Sequence, residues 1–308
     1  MPPGRSRRAN AVRSEFGLIR RLQAQAAQPD PQVFQGIGDD TAILKTSPIE
    51  WTLITTDLLA EGVHFDPATS SFRDIGYRAA IANLSDIAAM GGRPRFMLVS
   101  LAIPPACSTT QIQQLYRGMM QAGAPYQVRL VGGDTSASKT GLFLNITLTG
   151  VVKPRQALLR SGARIGDLIY VTGTLGDSRA GLDLLTSSRR PKLRPIDTRF
   201  LLARHHRPSA RIAEGLWLVN EGLAGAAIDL SDGLTGDLRH ICEESKVGAE
   251  INADSLPVSR ACLAYAKARG SPLAKSLSRE ARIMNCCLPC LAESSPGLND
   301  WLEKADFA

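Results

Sequence analysis

Apolar and polar positions alternate along the chain in two rhythms, one helical and one extended. From Glu15 to about Ala27, Phe16, Leu18, Ile19 and Leu22 fall on one side and arginines on the other, which predicts an amphipathic helix. Trp51–Leu58 (WTLITTDL) is rich in β-branched residues and reads as a strand ending in polar groups. Ile75–Met90 reads as a long helix whose Ala79, Ala80, Ala82, Leu84, Ala88 and Ala89 suit close packing. Strands are expected at Phe96–Ile103, Val128–Val131 and Leu142–Val152 (LFLNITLTGVV), with a helix at Thr110–Ala122. Around Lys153–Gly166 Pro, Arg and Gly gather, and the domain boundary is placed there. Beyond it come a strand at Leu168–Thr172, a helix at Ser178–Leu185, a polar connection and a helix at Ala210–Val219. A strand at Ala226–Leu230 and a helix at Leu234–Ser245 complete the pattern. Strands mixed with helices indicate an α/β or α+β architecture.

Composition narrows the class. A chain of 308 residues, 44% hydrophobic and 21% charged, is an ordinary globular protein large enough for two domains. No apolar run approaches the roughly 20 residues of a membrane span, and the basic start (MPPGRSRRANAVRSEF) lacks the apolar segment of a secretory signal. It reads as a short arm over residues 1–14, and a cytoplasmic location with no membrane partner is expected. The net charge of +7 is scattered without an aromatic-interleaved basic stripe, so anionic small ligands fit better than nucleic acid. Of the six cysteines, Cys286, Cys287 and Cys290 crowd into CCLPC, but no second pair exists to complete a zinc site.

Candidate chemistry lies in aspartates at strand ends and glycine turns. Gly36-Ile37-Gly38-Asp39-Asp40 presents two adjacent carboxylates, and Thr55-Thr56-Asp57 closes a strand with two hydroxyls and an acid. Asn83-Leu84-Ser85-Asp86 places another acid on the alanine-rich helix. Gly132-Gly133-Asp134-Thr135 follows a strand, and Asp229-Leu230-Ser231-Asp232-Gly233 ends one strand and opens a helix. Each motif alone is a common turn or helix cap. Together they supply the hard oxygen ligands that suit Mg²⁺, at the strand termini where α/β proteins place ligands. The chain has no P-loop, no kinase glycine-rich loop and no nucleophile elbow, and its four histidines (His64, His205, His206, His240) form no evident hydrolase set.

These motifs carry a resemblance. GIGDDTAIL, TTDLLAEGVHF, NLSDIAAMGG, VGGDT, RSGARIGD, YVTGTLGDSRAGL, RHHRPSAR and AIDLSDGL occur in the order and approximate spacing of the thiamine-monophosphate kinase family, from about Glu15 to about Ala268. That family belongs to the aminoimidazole ribonucleotide synthetase-like superfamily. The resemblance implies a two-domain fold, with an N-terminal domain over 15–155 and a C-terminal α/β domain over 156–270. It also implies a homodimer paired through the N-terminal sheets, with ATP and several Mg²⁺ ions in a cleft between domains. The implied reaction is in-line transfer of the ATP γ-phosphoryl group to thiamine monophosphate, giving thiamine diphosphate. Carried over by position, Asp40, Thr55, Thr56, Asp57, Asp86, Asp134, Asp229 and Asp232 are metal-binding, with Asp57 and Asp232 assigned to catalysis. Gly133, Asp134, Arg160 and Ser231 are assigned to ATP, and His64 to the thiamine phosphate. Asp39 reads as a supporting acid that could exchange roles with Asp40. His64 as a packing residue and Arg160 as an interdomain ion pair are the structural alternatives. Because the carboxylates repel one another, the metal-free site is expected to be partly protonated or disordered. A non-catalytic Mg-ATP-binding dimer and a sister enzyme with another acceptor are the competing functional readings.

One stretch departs from the family. Where its members continue into GGEDYELLFTVP, this chain has REARIMNCCLPCL. Permitted codons for Glu280–Leu291, read from the last base of the Arg279 codon, spell Gly-Gly-Glu-Asp-Tyr-Glu-Leu-Leu-Phe-Thr-Val-Pro. The expectation is a frameshift between about Ser271 and Arg279, an aberrant tail over 271–308 and an incomplete C-terminal domain. No function is assigned to the CCLPC cysteines, and helical propensity over Gly297–Lys304 is expected to go unused.

Overall fold

The computed structural model describes residues 15–26, 29–270 and 290–291. Strands β1 (Val33–Gln35), β2 (Ala42–Leu44), β3 (Trp51–Ala60), β4 (Arg93–Ile103), β5 (Arg129–Ala137) and β6 (Phe143–Val152) form one six-stranded sheet. Its spatial order is β1-β2-β3-β6-β4-β5. All neighbours are antiparallel except β4 and β5. That parallel pair needs a crossover, which α3 (Thr109–Gly123) supplies.

Period-two alternation gives the sheet two unlike faces. Leu144, Ile146 and Leu148 on β6 point into the core with Leu53, Met97, Val99 and Leu101, and all are buried. The opposite face carries Thr56, Leu58, Phe96 and Leu98, all exposed. Helix α2 (Phe72–Ala89), capped by the Ser71 hydroxyl on the Asp74 amide, covers the buried face with α3. The two helices meet at glycines: a Cβ on Gly76 would lie 2.0 Å from the Leu115 carbonyl oxygen, and one on Gly118 1.9 Å from that of Arg73. Substitution at either position would force the helices apart.

The second half is built from smaller pieces. Strands β7 (Leu168–Ile169), β8 (Ala224–Ala226) and β9 (Cys290–Leu291) pair antiparallel in the order β7-β9-β8. Around them stand α4 (Asp177–Thr186), α5 (Pro195–His206), α6 (Ile212–Glu221), α7 (Leu234–Ser245) and α8 (Arg260–Arg269). Buried Asp177 gathers three of these segments. It accepts from Thr174 at 2.5 Å and from Ser259, the N-cap of α8, and faces Arg204 of α5 at 3.8 Å. The expected polar connection after α4 in fact contains α5, and the expected strand at Ala226–Leu230 is displaced, since β8 covers only Ala224–Ala226. Apart from β9, the aberrant-tail reading falls outside the described residues, as does the N-terminal arm.

A seam along α2 joins the halves. A Cβ on Gly215 of α6 would lie 2.2 Å from the Ala88 carbonyl oxygen, so only glycine permits this approach. The RHHRPSAR segment supplies the polar contacts. Arg207 pairs with Asp74 at 2.6 Å, Arg78 meets His205 at 3.3 Å, and the Tyr126 hydroxyl donates to the Ala210 carbonyl at 3.0 Å. His205 also lies 3.3 Å from the Ser178 hydroxyl. Burial first, then Arg78 and His206, push its pKa down to about 3, so it sits in the seam as a neutral ring. Among the described residues no helix is long and apolar enough to cross a membrane.

Candidate active site

Three acids from distant parts of the chain converge. Asp40 lies in the turn entering β2, Asp86 near the end of α2, and Asp229 just after β8. One carboxylate oxygen from each lies within 4.8 Å of the others. The first two belong to the N-terminal half and the third to the C-terminal half, so the seam sets their spacing. Thr55, buried on the covered side of β3, donates its hydroxyl to Asp86. Asp57 shares that side by alternation, and its charge is felt by both Asp86 and Asp229.

Arg160 is the cation of the group. It lies in the short helical turn Arg160–Gly162 of the connector, where its guanidinium pairs with Asp40 and lies 3.9 Å from Asp39. Asp39 accepts the Arg160 amide at 3.1 Å and the Asp40 amide at 3.0 Å, a supporting position that braces the turn. Arg160 therefore makes the interdomain ion pair considered above. The other oxygen of Asp40, Oδ2, is buried and has no hydrogen-bond partner among the described residues. An unpaired buried carboxylate oxygen is costly unless a cation satisfies it.

Electrostatics follow the crowding. Burial, reinforced by Asp57, Asp229 and Asp40, raises Asp86 well above the usual carboxylate range. Burial and then Asp40 do the same to Asp229. Asp57 is raised by burial and Asp40. Asp40 is raised by burial, with Arg160 opposing the rise. Burial and the Asp40 charge push Asp39 up to about 7. Hard oxygen ligands, mutual repulsion and an orphaned oxygen are the features a divalent cation would relieve, so these residues fit Mg²⁺.

Asp40 and Thr55 also line a cleft of about 780 Å³, together with Arg160, His240 and Glu243. This volume falls within the range typical of small-molecule sites, roughly 300–1,000 Å³. The side chain of Thr56 points away from Asp86. It bonds to Asn145 at 3.2 Å and Thr147 at 3.1 Å on the open face, while the residue also lines the cleft. Asp134 lies on exposed edge strand β5, outside the converging group. Its neighbour Gly133 has φ +154°, and a Cβ there would meet the Val99 carbonyl oxygen at 1.8 Å, so glycine lets β5 lie against β4. His64 is exposed in the turn after β3, where its Nδ1 accepts the Ala60 amide at 3.0 Å. Asp232 and Ser231 are exposed at the entry to α7. The residue that sequence reasoning missed is Asp237, whose Oδ2 accepts the amides of Ser231, Asp232 and Gly233. An acid in the first turn of a predicted helix was its available signal.

Comparisons with known proteins bear on the family and the fold. The family described as AIR synthase related protein, N-terminal domain, matches residues 38–152, and its C-terminal domain counterpart matches 164–275. Thiamine-monophosphate kinase from Buchnera aphidicola (subspecies Acyrthosiphon pisum, strain APS) is 40% identical over 248 residues, spanning 80% of this chain and 74% of that protein. The Haemophilus influenzae protein of the same name is 41% identical over 249 residues, 81% and 74% respectively. Among solved structures, AaThiL complexed with AMPPCP and TMP superposes with TM-score 0.80 at 33% identity, covering 91% of this chain and 85% of that one.

Proposed function

Because the chain belongs to the thiamine-monophosphate kinase family, we propose that it binds Mg²⁺-ATP between its halves and phosphorylates thiamine monophosphate to thiamine diphosphate. The observation that carries this reading is the Asp40–Asp86–Asp229 group, with its orphaned oxygen, beside a nucleotide-sized cleft. ATP as co-substrate is further supported by the related AaThiL complex, which holds AMPPCP, an ATP analogue, together with TMP.

Asp40, Asp86 and Asp229 would hold Mg²⁺, with Asp57 and Asp232 assigned beside them. When bound, the metal supplies neutralisation of the triphosphate and of the charge on the transferring group. The chain's own residues do the rest. Thr55 orients Asp86 by hydrogen bonding, and Asp39 fixes the connector so that Arg160 stays at the cleft wall. The acceptor phosphate is already largely ionised at neutral pH, so no strong general base is needed. One of its oxygens bonds to the γ-phosphorus as the bond to the β-phosphate oxygen breaks, and ADP leaves with that electron pair. The protein's task is to align two polyanions and lower their repulsion. His64 is assigned to the acceptor, and Gly133, Asp134 and Ser231 to the nucleotide.

A homodimer is part of this proposal. Leu58, Phe96, Leu98 and Val131 stand 58%, 47%, 40% and 56% exposed on the open side and edge of the first sheet. A second copy would cover that apolar surface. The deciding experiment is formation of thiamine diphosphate from thiamine monophosphate, ATP and Mg²⁺ by the purified chain. Turnover that is lost with EDTA and restored by Mg²⁺ supports the reading. Binding of Mg-AMPPCP without turnover would instead support a nucleotide-binding protein without catalysis.

A further inference from the structure

Three successive backbone N–H groups, those of Ser231, Asp232 and Gly233, point at a single oxygen, Asp237 Oδ2, at 3.0, 3.2 and 3.0 Å. Concave runs of amides at a helix N-terminus commonly hold an anion. In this chain the anion is internal: a carboxylate from the first turn of α7 fills the nest. The nest is therefore not free to receive a phosphate, and its function becomes conformational. Gly233 closes the turn at φ +110°, a value that side chains rarely adopt, so glycine and carboxylate fix the same bend. Helix α7 is itself anchored, because Leu234, Leu238 and Ile241 pack with Ala226, Ile228 and Leu230 in one buried cluster. The chain from Ala226 to Leu230 leads directly into the bend. Asp237 thus transmits the position of a helix packed on the buried cluster to a turn whose tip, Asp232, is exposed.

We propose that Asp237 is a positioning residue for phosphoryl transfer, holding the Ser231–Gly233 turn so that Asp232 is presented to the metal–nucleotide site. This rests on the kinase reading above, in which Asp232 is a metal-binding acid. A carboxyl group suits the role because one of its oxygens accepts from all three amides. Asparagine offers a neutral carbonyl of the same shape, and alanine offers nothing.

The test uses the full chain and the probe Mg-AMPPCP. In Asp237→Asn, amide hydrogen exchange at Ser231, Asp232 and Gly233 in the metal-free protein should accelerate, while α2 and β6 stay protected. Calorimetric affinity for Mg-AMPPCP should fall about 10- to 100-fold, as for partners that orient metal ligands. Asp232→Asn should weaken binding by itself, and adding Asp237→Asn to it should cost little more, because both changes act through one side chain. Unchanged exchange at the three amides, or losses that multiply in the double variant, would overturn the proposal. If Asp232→Asn binds as wild type, the metal assignment of Asp232 fails, and Asp237's proposed role falls with it. Should Asp237→Asn fold poorly, Asp237→Ser keeps an acceptor oxygen and carries the same comparison.

Discussion

The two halves of the molecule achieve order in different ways. The first has one continuous core running from Ile43 through α2 and α3 to Val152, beneath strands paired over as many as ten positions. The second lends Ala210 and Ile212 to that core and divides its other buried hydrophobic residues among separate small clusters, and its strands are two or three residues long. It relies instead on polar anchors, Asp177 and Asp237, and on its seam with α2. A large core tolerates a local defect because its neighbours remain packed, whereas a set of small clusters depends on each tie. The acid cluster takes two members from the first region and one from the second, so the site inherits the weaker region's tolerance.

The largest effect should come from the site that joins the regions. Asp86→Asn should lower turnover by about 10²-fold or more while the circular dichroism spectrum persists. Asp57→Asn should behave similarly, and full retained activity in either would remove that acid from the proposed site. Next comes the core itself. Leu148→Ala should cost about 2–5 kcal/mol in denaturant unfolding, because Leu148 is fully buried in the larger cluster. Leu238→Ala, in the smaller cluster, should instead loosen only the second half, seen as local hydrogen exchange ahead of global unfolding. Gly215→Ala should cost about 1–3 kcal/mol by driving a methyl group into the Ala88 carbonyl. Thermal unfolding should then separate into two transitions if the seam couples the halves.

Smaller effects concern pH and assembly. Asp39 and Asp237 are both raised to about 7 in the folded chain, above an ordinary value of 3.8. The folded protein therefore holds more protons than the unfolded one between those values, and stability from this source is lost as pH rises through about 7. The metal-free protein should melt lower at pH 8 than at pH 6. Asp39→Asn should flatten that slope, and added Mg²⁺ should raise the melting temperature more at pH 8. Last, Leu98→Glu should shift sedimentation toward monomer with little change in secondary structure, since Leu98 lies on the open face.

Long, regular elements were legible in the sequence. Helix α7 falls at Leu234–Ser245 as expected, and β6 lies within the expected Leu142–Val152. Helix α5 escaped because its buried residues Asp197, Leu201 and His205 follow helical spacing while two of the three are polar. A search for apolar stripes passes over such a helix. Ala227, Ile228 and Leu230 show the converse, since they are buried as their apolar character suggests but pair in no strand among the described residues. In the site, the aspartate motifs marked the right turns without showing which would meet. Strand alternation separates Thr55 and Asp57 from Thr56, but the meeting of Asp40, Asp86 and Asp229 depends on contacts remote in sequence. Asp237 was obscured because its partners are backbone amides, which leave no trace in residue types.

The glycine contact between α6 and α2 has a consequence for how the chain could be divided. Cutting the polypeptide in the connector near Lys153 would leave Asp40 and Asp86 on one fragment and Asp229 on the other. Neither fragment would contain a whole ligand set, yet the backbone surfaces at Ala88 and Gly215 would still match. Mixed together, the fragments would form a complementation pair whose recovered activity reports their reunion.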